Sequence, residues 1–395
     1  MRIGFFADEY LPRVDGVITS MLNSAEGLRR RGHQVWFIVP AYPGVKSTDY
    51  VIRVPSTPAP LSDNLRAMLP SRTVRQTIAG LKLDIIHSHT PFAAGLMARR
   101  AASELDLPHV ATFHTLLPVL LDYYPLRTRT YLPAIMAYVG DIMWSSQNNY
   151  TPPASAGRSV AKRWAWRLTG AYVDSLDYVI SPSQHFAELI GALGVTTPVS
   201  RVPNSLDLTR YQPASPVRRQ PVRLIAVGRL SPEKRQLELI KAMTRVSRDT
   251  AHLTLVGDGP ERTKLERAVT GLGVSSSVKL TGQLSPAEVA KQLGQSDAGV
   301  LASYGFDNQP MTMLEYLAAG LPILYCDPNL SEVVGPEAGL LVKPEAASLA
   351  GGIKRLSQKF LLRKSLSYAA LAQNKQYSHL GVAKQLESVY NRLLA

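Results

Sequence analysis

The feature that most constrains the fold of this chain is an alternation that runs once and then starts again. Short apolar runs ending in turn residues alternate with longer stretches of helical periodicity. RIGFFAD (2–8) reads as a buried strand. GVITSMLNSAEGLRRRGHQ then sets Ile18, Met21, Leu22, Ala25 and Leu28 on one helical face, with Arg29–Arg31 at the negative C-terminal end and Gly32 as the stop. VWFIVP, LDIIHSH (83–89), HVATFHT (109–115), DYVISPS and VSRVPNS complete a first series of strands, with FAAGLMARRAASEL as a second helix. After NSLDLTRYQPASPVRRQP (204–221), rich in Pro, Ser and Arg, the order restarts. RLIAVGR, HLTLVGDG, VKLTG, AGVLAS, PILYC and GLLV are strands; QLELIKAMTRV, ERTKLERAV, PAEVAKQLG and TMLEYLAAG are helices. Strands alternating with helices argue for parallel sheets covered on both faces. Two series imply two doubly wound α/β domains, 1–203 and 204–374, with a helical tail, 375–395, expected to cross back onto the first. Such sheets bind ligands in the crevice beyond their C-terminal strand ends, so the two domains are expected to face a shared cleft and the chemistry to lie in loops after strands.

Composition removes several classes. No apolar run approaches the roughly 20 residues needed to span a bilayer, and MRIGFFADEY carries acids and no signal-peptide pattern. Cys326 is the single cysteine, so an intrachain disulfide and a cysteine metal cluster are excluded. A cytoplasmic location is the expectation. The net charge of +14 attracts anions: nucleotides, anionic lipid headgroups or nucleic acid. Composition does not choose among them.

The loops after strands narrow the choice. In ADEYLPRVDGVITS, Gly16 opens the first helix, where free N–H groups and the positive dipole end can hold an anion and glycine lets a phosphate come close. The same residues also suit an ordinary Asp-Gly turn. In AVGRLSPEKRQLELI, Arg229 and Lys234 pair a forked guanidinium with a compact ammonium just past a strand end, which suits a diphosphate; a solvated basic loop is the bland alternative. LVGDGPE (255–261) is weak taken singly. In SYGFDNQPMTMLEYLAAGLP, Asp307 stands in the loop and Glu315 on the following helix, eight positions apart. They are placed to reach two parts of one ligand, or else are a turn former and a surface residue.

Taken in order, DGV with Gly16, TFHT, VPNSLD, VGRLSPEK, VGDGPE, LTG and the paired acids before LAAGLP resemble the family-4 retaining glycosyltransferases of the GT-B fold, built of two facing Rossmann-like domains. The resemblance covers nearly the whole chain. It implies a nucleotide-sugar donor, a UDP-sugar first, held mainly by the C-terminal domain, an acceptor site in the N-terminal domain, and neither cofactor nor metal. It implies that Arg229 and Lys234 hold the diphosphate, that Glu315 accepts from the ribose hydroxyls, that Gly16 brings backbone N–H toward the diphosphate, and that His114 and Asp307 lie at the donor sugar. Two positions depart from the family. Asp307 stands where it usually has Glu, shorter by roughly 1.5 Å, and Ser205 stands where it commonly has Gly.

HSH at 87–89 puts two histidines on one strand face, but no third metal ligand accompanies them. Residues 116–172 interleave apolar, aromatic and basic side chains. Arg127, Arg129, Lys162, Arg163, Trp164 and Arg167 there suit the surface of an anionic bilayer, or half-buried helices. Some lipid-glycosylating members of the family look similar in this segment. The expectation is therefore a retaining, metal-independent hexosyltransferase whose favoured acceptor is a membrane lipid such as diacylglycerol, in peripheral contact with the inner face of the cell membrane. A soluble sugar or polysaccharide acceptor is the first alternative. A non-catalytic nucleotide or nucleic-acid binder is the second; no nucleic-acid motif accompanies the basic residues, and no nucleic-acid partner is expected.

Overall fold

The computed structural model describes residues 1–13, 15–58, 66–123 and 149–395. The chain divides into two compact units, Met1–Ser205 with His379–Ala395, and Leu206–Ser378. The sequence pattern places the breaks slightly earlier, after 203 and 374.

The first unit runs β1 (Arg2–Phe6), α1 (Gly16–Arg30), β2 (Gln34–Pro40), β3 (Val51–Val54), an antiparallel pair β4 (Ser56–Pro58) and β5 (Arg66–Met68), and α2 (Arg72–Gly80). It continues through β6 (Ile85–Ser88), α3 (Ala93–Leu105), β7 (His109–Thr112), α4 (Leu117–Tyr123), α5 (Val160–Val173), β8 (Tyr178–Ser181), α6 (Gln184–Gly191) and β9 (Val199–Arg201). Seven strands form one parallel sheet in the order β3-β2-β1-β6-β7-β8-β9.

The second unit runs β10 (Val222–Val227), α7 (Gln236–Met243), β11 (Ala251–Val256), α8 (Arg262–Gly271), β12 (Val278–Leu280), α9 (Pro286–Gly294) and β13 (Ala298–Leu301). It ends with α10 (Met311–Ala318), β14 (Ile323–Tyr325), α11 (Ser331–Ala338), β15 (Gly339–Leu341), α12 (Ala346–Gln358) and α13 (Phe360–Gln373). Its six parallel strands are ordered β12-β11-β10-β13-β14-β15. The chain then returns to the first unit as α14 (His379–Leu394).

Both sheets are buried on two faces, which explains their near-continuous apolar strands. Along β10, Val222, Leu224 and Ala226 point into one core and Ile225 into another, the alternation a pleated strand requires. In the first unit α1 buries Ile18, Met21, Ala25 and Leu28 and lies against α14, whose Val382, Ala383, Leu386 and Val389 join the same core. Gly27 permits that crossing, because a Cβ there would stand 2.6 Å from the His379 carbonyl oxygen. The segment before the break is pinned to the same helix. Ser20 donates to Asn204 Oδ1 at 2.6 Å and Asn23 Nδ2 to the Ser205 carbonyl at 2.8 Å. Ser205 is buried and is not among the residues with positive φ, so the backbone there makes no demand for glycine.

In each sheet the strand order reverses once, between β1 and β6 and between β10 and β13. At such a reversal the connections leave in opposite directions and open a crevice at the carboxyl ends of the strands.

Candidate active site

In the second unit the reversal gathers the loops after β10 and β13. Lys234 closes a 3-10 turn, Pro232–Lys234, after β10. Its Nζ lies 2.5 Å from Asp307 Oδ1, 73 positions away in the loop after β13, and 5.4 Å from the centre of the Phe306 ring. The other carboxylate oxygen, Asp307 Oδ2, is buried without a partner. Arg229 is exposed, and its side chain makes no hydrogen bond or ion pair among the described residues. Its carbonyl is held by Gln236 Nε2 at 2.7 Å. The site thus offers one free guanidinium, one ammonium neutralised by a carboxylate, and one unsatisfied carboxylate oxygen.

The backbone beneath these groups is drawn tight. Gly228 N–H donates to the Val256 carbonyl at 2.9 Å and Leu230 N–H to the Asp258 carbonyl at 2.9 Å. Gly257 has φ +136°, and a Cβ on it would meet the Gly228 carbonyl oxygen at 2.0 Å. The two glycines of VGDG are therefore required by the approach of two backbones, and that of VGR by its φ of +152°. Across the site, Gly305 N–H donates to Asp327 Oδ2 at 2.7 Å, so a residue past the end of β14 holds the loop that carries Asp307. Nothing in the sequence spacing marked Asp327 for this.

Glu315 lies on α10, which crosses β13 where Gly299 leaves room for the Tyr316 ring. The Tyr316 hydroxyl accepts from Val227 N–H at 2.8 Å, tying α10 to the end of β10. Burial pushes the Glu315 carboxyl up to about 7, against the hydrogen bond that the Tyr211 hydroxyl donates to its Oε1 at 3.2 Å. Tyr211 lies 104 positions away in the segment the sequence marked only as a seam. Burial, with the Glu315 charge beside it, pushes the Tyr211 phenol up in turn.

In the first unit the reversal gathers acids and histidines. Asp8, past β1, accepts from Thr90 Oγ1 at 2.6 Å and from Ala94 N–H at 2.9 Å, so it caps α3. Burial still raises its pKa to about 6. Glu9 is raised to about 8 by burial and then by the Asp15 charge, although Arg13 bridges Glu9 at 3.3 Å and Asp15 at 3.0 Å. Asp15 caps α1, accepting from Ile18 N–H at 3.0 Å, which leaves Gly16 exposed at the helix start. Gly16 stands out in the sequence by its place at the helix start, whereas no local spacing marks Asp8 and Glu9.

His114 follows β7. Its Nε2 lies 3.2 Å from His89 Nδ1, and burial lowers its pKa to about 4. Among the described residues no group of three or more His, Cys, Asp or Glu could hold a metal.

Of the basic and aromatic residues marked between 116 and 172, Arg127 and Arg129 lie outside the described residues. Lys162, Arg163, Trp164 and Arg167 sit on α5. Lys162 is half-buried. Val160, Arg163, Trp164 and Arg167 are exposed at i, i+3, i+4 and i+7 and so form one face, while Trp166, Leu168 and Tyr172 fill the core on the other. No helix among the described residues is long and apolar enough to cross a membrane.

Comparison with known proteins fits this architecture. The profile of "Glycosyltransferase Family 4" matches residues 14–210, and that of "Glycosyl transferases group 1" matches residues 221–359. Together the two glycosyltransferase profiles span most of the chain, which belongs to the glycosyltransferases. An alpha-monoglucosyldiacylglycerol synthase of Acholeplasma laidlawii is 26% identical to this glycosyltransferase over 100% of the chain and 98% of the relative. A GDP-mannose-dependent alpha-mannosyltransferase of Mycolicibacterium smegmatis is 28% identical over 83% of the chain and 80% of the relative. HepE of Anabaena, solved in complex with UDP, matches all of both chains with a TM-score of 0.73 at 18% identity. The fold is that of the GT-B glycosyltransferases.

Proposed function

We propose that this glycosyltransferase moves a hexose from a nucleotide-diphosphate sugar, a UDP-sugar first, to a membrane lipid such as diacylglycerol, retaining the anomeric configuration and using no metal. The observation that carries the reading is the Lys234–Asp307 pair beside the free Arg229 at the strand reversal of the second unit. A diphosphate entering there meets two cations. A sugar hydroxyl can donate to the unpartnered Asp307 Oδ2. Glu315 takes the ribose hydroxyls, with Tyr211 supporting its carboxylate.

The chemistry follows from those groups. The bond from the anomeric carbon to the diphosphate breaks through an oxocarbenium-like state. Charge grows on the leaving oxygen, where Arg229, Lys234 and a helix N-terminus stabilise it more than in the ground state. The acceptor hydroxyl attacks from the face the diphosphate leaves, and the leaving phosphate takes its proton. No protein nucleophile is needed. His114 serves the donor sugar, and Gly16 brings backbone N–H toward the diphosphate.

Two things support a lipid acceptor. One is the diacylglycerol-glycolipid synthesis for which the Acholeplasma laidlawii relative is named. The other is the exposed basic-aromatic face of α5, suited to an anionic bilayer at the inner side of the cell membrane. The UDP bound by the HepE structure supports the donor class, and the mannosyltransferase relative makes GDP-mannose the first competitor.

The test is nucleoside diphosphate release by purified protein from UDP-glucose, UDP-galactose and GDP-mannose, alone, with diacylglycerol vesicles or with soluble sugars, in excess chelator. Release from a UDP-sugar that rises with diacylglycerol is expected. Silence with every donor would refute the reading. Release stimulated only by soluble sugars would move the acceptor to that class.

A further inference from the structure

The two histidines of HSH have found no role so far, yet they lie directly behind His114. His87 is fully buried, its Nδ1 2.6 Å from the Tyr390 hydroxyl and its Nε2 2.7 Å from Thr112 Oγ1. The His89 ring stacks on it at 4.4 Å and meets the Phe5 ring at 4.5 Å. The His89 and His114 rings lie 18° from parallel with centroids 5.5 Å apart and facing nitrogens at 3.2 Å. At that separation the rings stand side by side, the arrangement of a ring-to-ring hydrogen bond.

One proton serves His89 Nδ1 and His114 Nε2, and its owner decides both tautomers. His89 Nε2 is buried and has no partner among the described residues. If His114 donated, His89 would carry its proton on that Nε2, an orphaned buried N–H. If His89 donates, only a lone pair is left unmet. Orphaned buried donors are rarer than under-satisfied acceptors, and the unmade bond costs more. Burial keeps both rings neutral, so no second proton blurs the choice.

We infer that His89 is a positioning residue: it donates Nδ1–H to His114 Nε2 and so fixes His114 as an Nδ1–H donor. His114 then meets the donor sugar as a hydrogen-bond donor to a hydroxyl oxygen, not as a base. The inference rests on the reading of His114 as the residue beside that sugar. His87, held by Tyr390 and Thr112, gives His89 a fixed surface to stack on.

The full-length protein labelled with 15N on histidine decides the tautomer through two-bond proton–nitrogen spectra, with His114 and His89 assigned from the signals lost in His114→Gln and His89→Gln. His114 should show a protonated Nδ1 and a bare Nε2. A His114 protonated at Nε2, or signals averaged between tautomers, overturns the inference. His89→Phe keeps a ring and removes the donor, so turnover should fall about tenfold, the size of one lost hydrogen bond, with donor KM nearly constant. His89→Asn, whose amide N–H stands where Nδ1–H does, should keep most turnover. Unchanged turnover in His89→Phe would also overturn the positioning role. Full turnover in His114→Ala would refute the role of His114 at the sugar, and that of His89 with it, whereas the tautomer is read from the spectrum alone.

Discussion

At the scale of single residues, the account turns on Lys234 and Asp307. Their 2.5 Å contact forms a pair that a diphosphate must share or displace. Lys234→Ala should lower kcat/KM by roughly 100- to 1,000-fold, the loss seen when one group facing developing charge is removed. Steady-state rates with the donor held near KM check this, and near-native turnover would remove Lys234 from the diphosphate. Asp307→Glu restores the acid usual in the family but adds about 1.5 Å of reach to a carboxylate already in contact. Turnover should fall on the order of 100-fold, the cost of a misplacement of about 1 Å. A gain would show that the loop held by Asp327 has not adapted to the shorter side chain. The sequence offered both residues because lysine and acid stand just past strands. It could not offer Tyr211, Asp327 or His89 as partners, because their contacts depend on a crossover, a loop anchor and a ring pairing that no local spacing records.

Among the elements, α10 and the ends of β10 and β11 carry the most specific expectations. Glu315 titrates about 7 because burial disfavours its charge. Hydroxyls donate better to the carboxylate, so donor KM should rise as pH falls below about 7 and stay flat above it. Glu315→Gln should remove that dependence. Tyr211→Phe should move its midpoint upward, since the lost hydrogen bond favoured the ionised form. Donor affinity by calorimetry from pH 5.5 to 8.5 reads all three proteins, and a pH-independent wild type would contradict the ribose role. Gly257→Ala forces a Cβ to 2.0 Å from a carbonyl at φ +136°. The loss should be at least about 1–3 kcal/mol, visible as a lower midpoint in thermal unfolding. The sequence read most buried strands and the helices α1, α3 and α7 to α10, because their periodicity stands out, but it left α12 and α13 unmarked. It passed over β3 and α2 for a physical reason. VIRV is four residues long, and α2 buries only Val74 and Ile78, too little apolar repetition to stand out.

For the whole molecule, the charge of +14 and the exposed face of α5 bear on where the enzyme works. Arg163→Ser with Arg167→Ser should weaken binding to anionic vesicles by on the order of 30-fold, at about 1 kcal/mol per cation. The effect should shrink in high salt. Trp164→Ala should weaken it with little salt dependence, because the indole contributes apolar area. Co-sedimentation with neutral and anionic vesicles separates these terms, and a wild type that stays in the supernatant throughout would end the membrane reading. The two parallel sheets were legible from the restarted alternation and the GT-B fold from the resemblance of the ordered motifs; the acceptor was not, since the residues marked for it fit a bilayer and a half-buried helix equally. The measurement closest to the central claim is product analysis after incubating the protein with UDP-glucose and diacylglycerol vesicles, reading the anomeric proton of the purified lipid by NMR. The account predicts a glucosyl lipid with the small coupling of an α-linkage, the configuration of the donor. A β-linked product, or no glycolipid while a soluble acceptor is glycosylated, would contradict it.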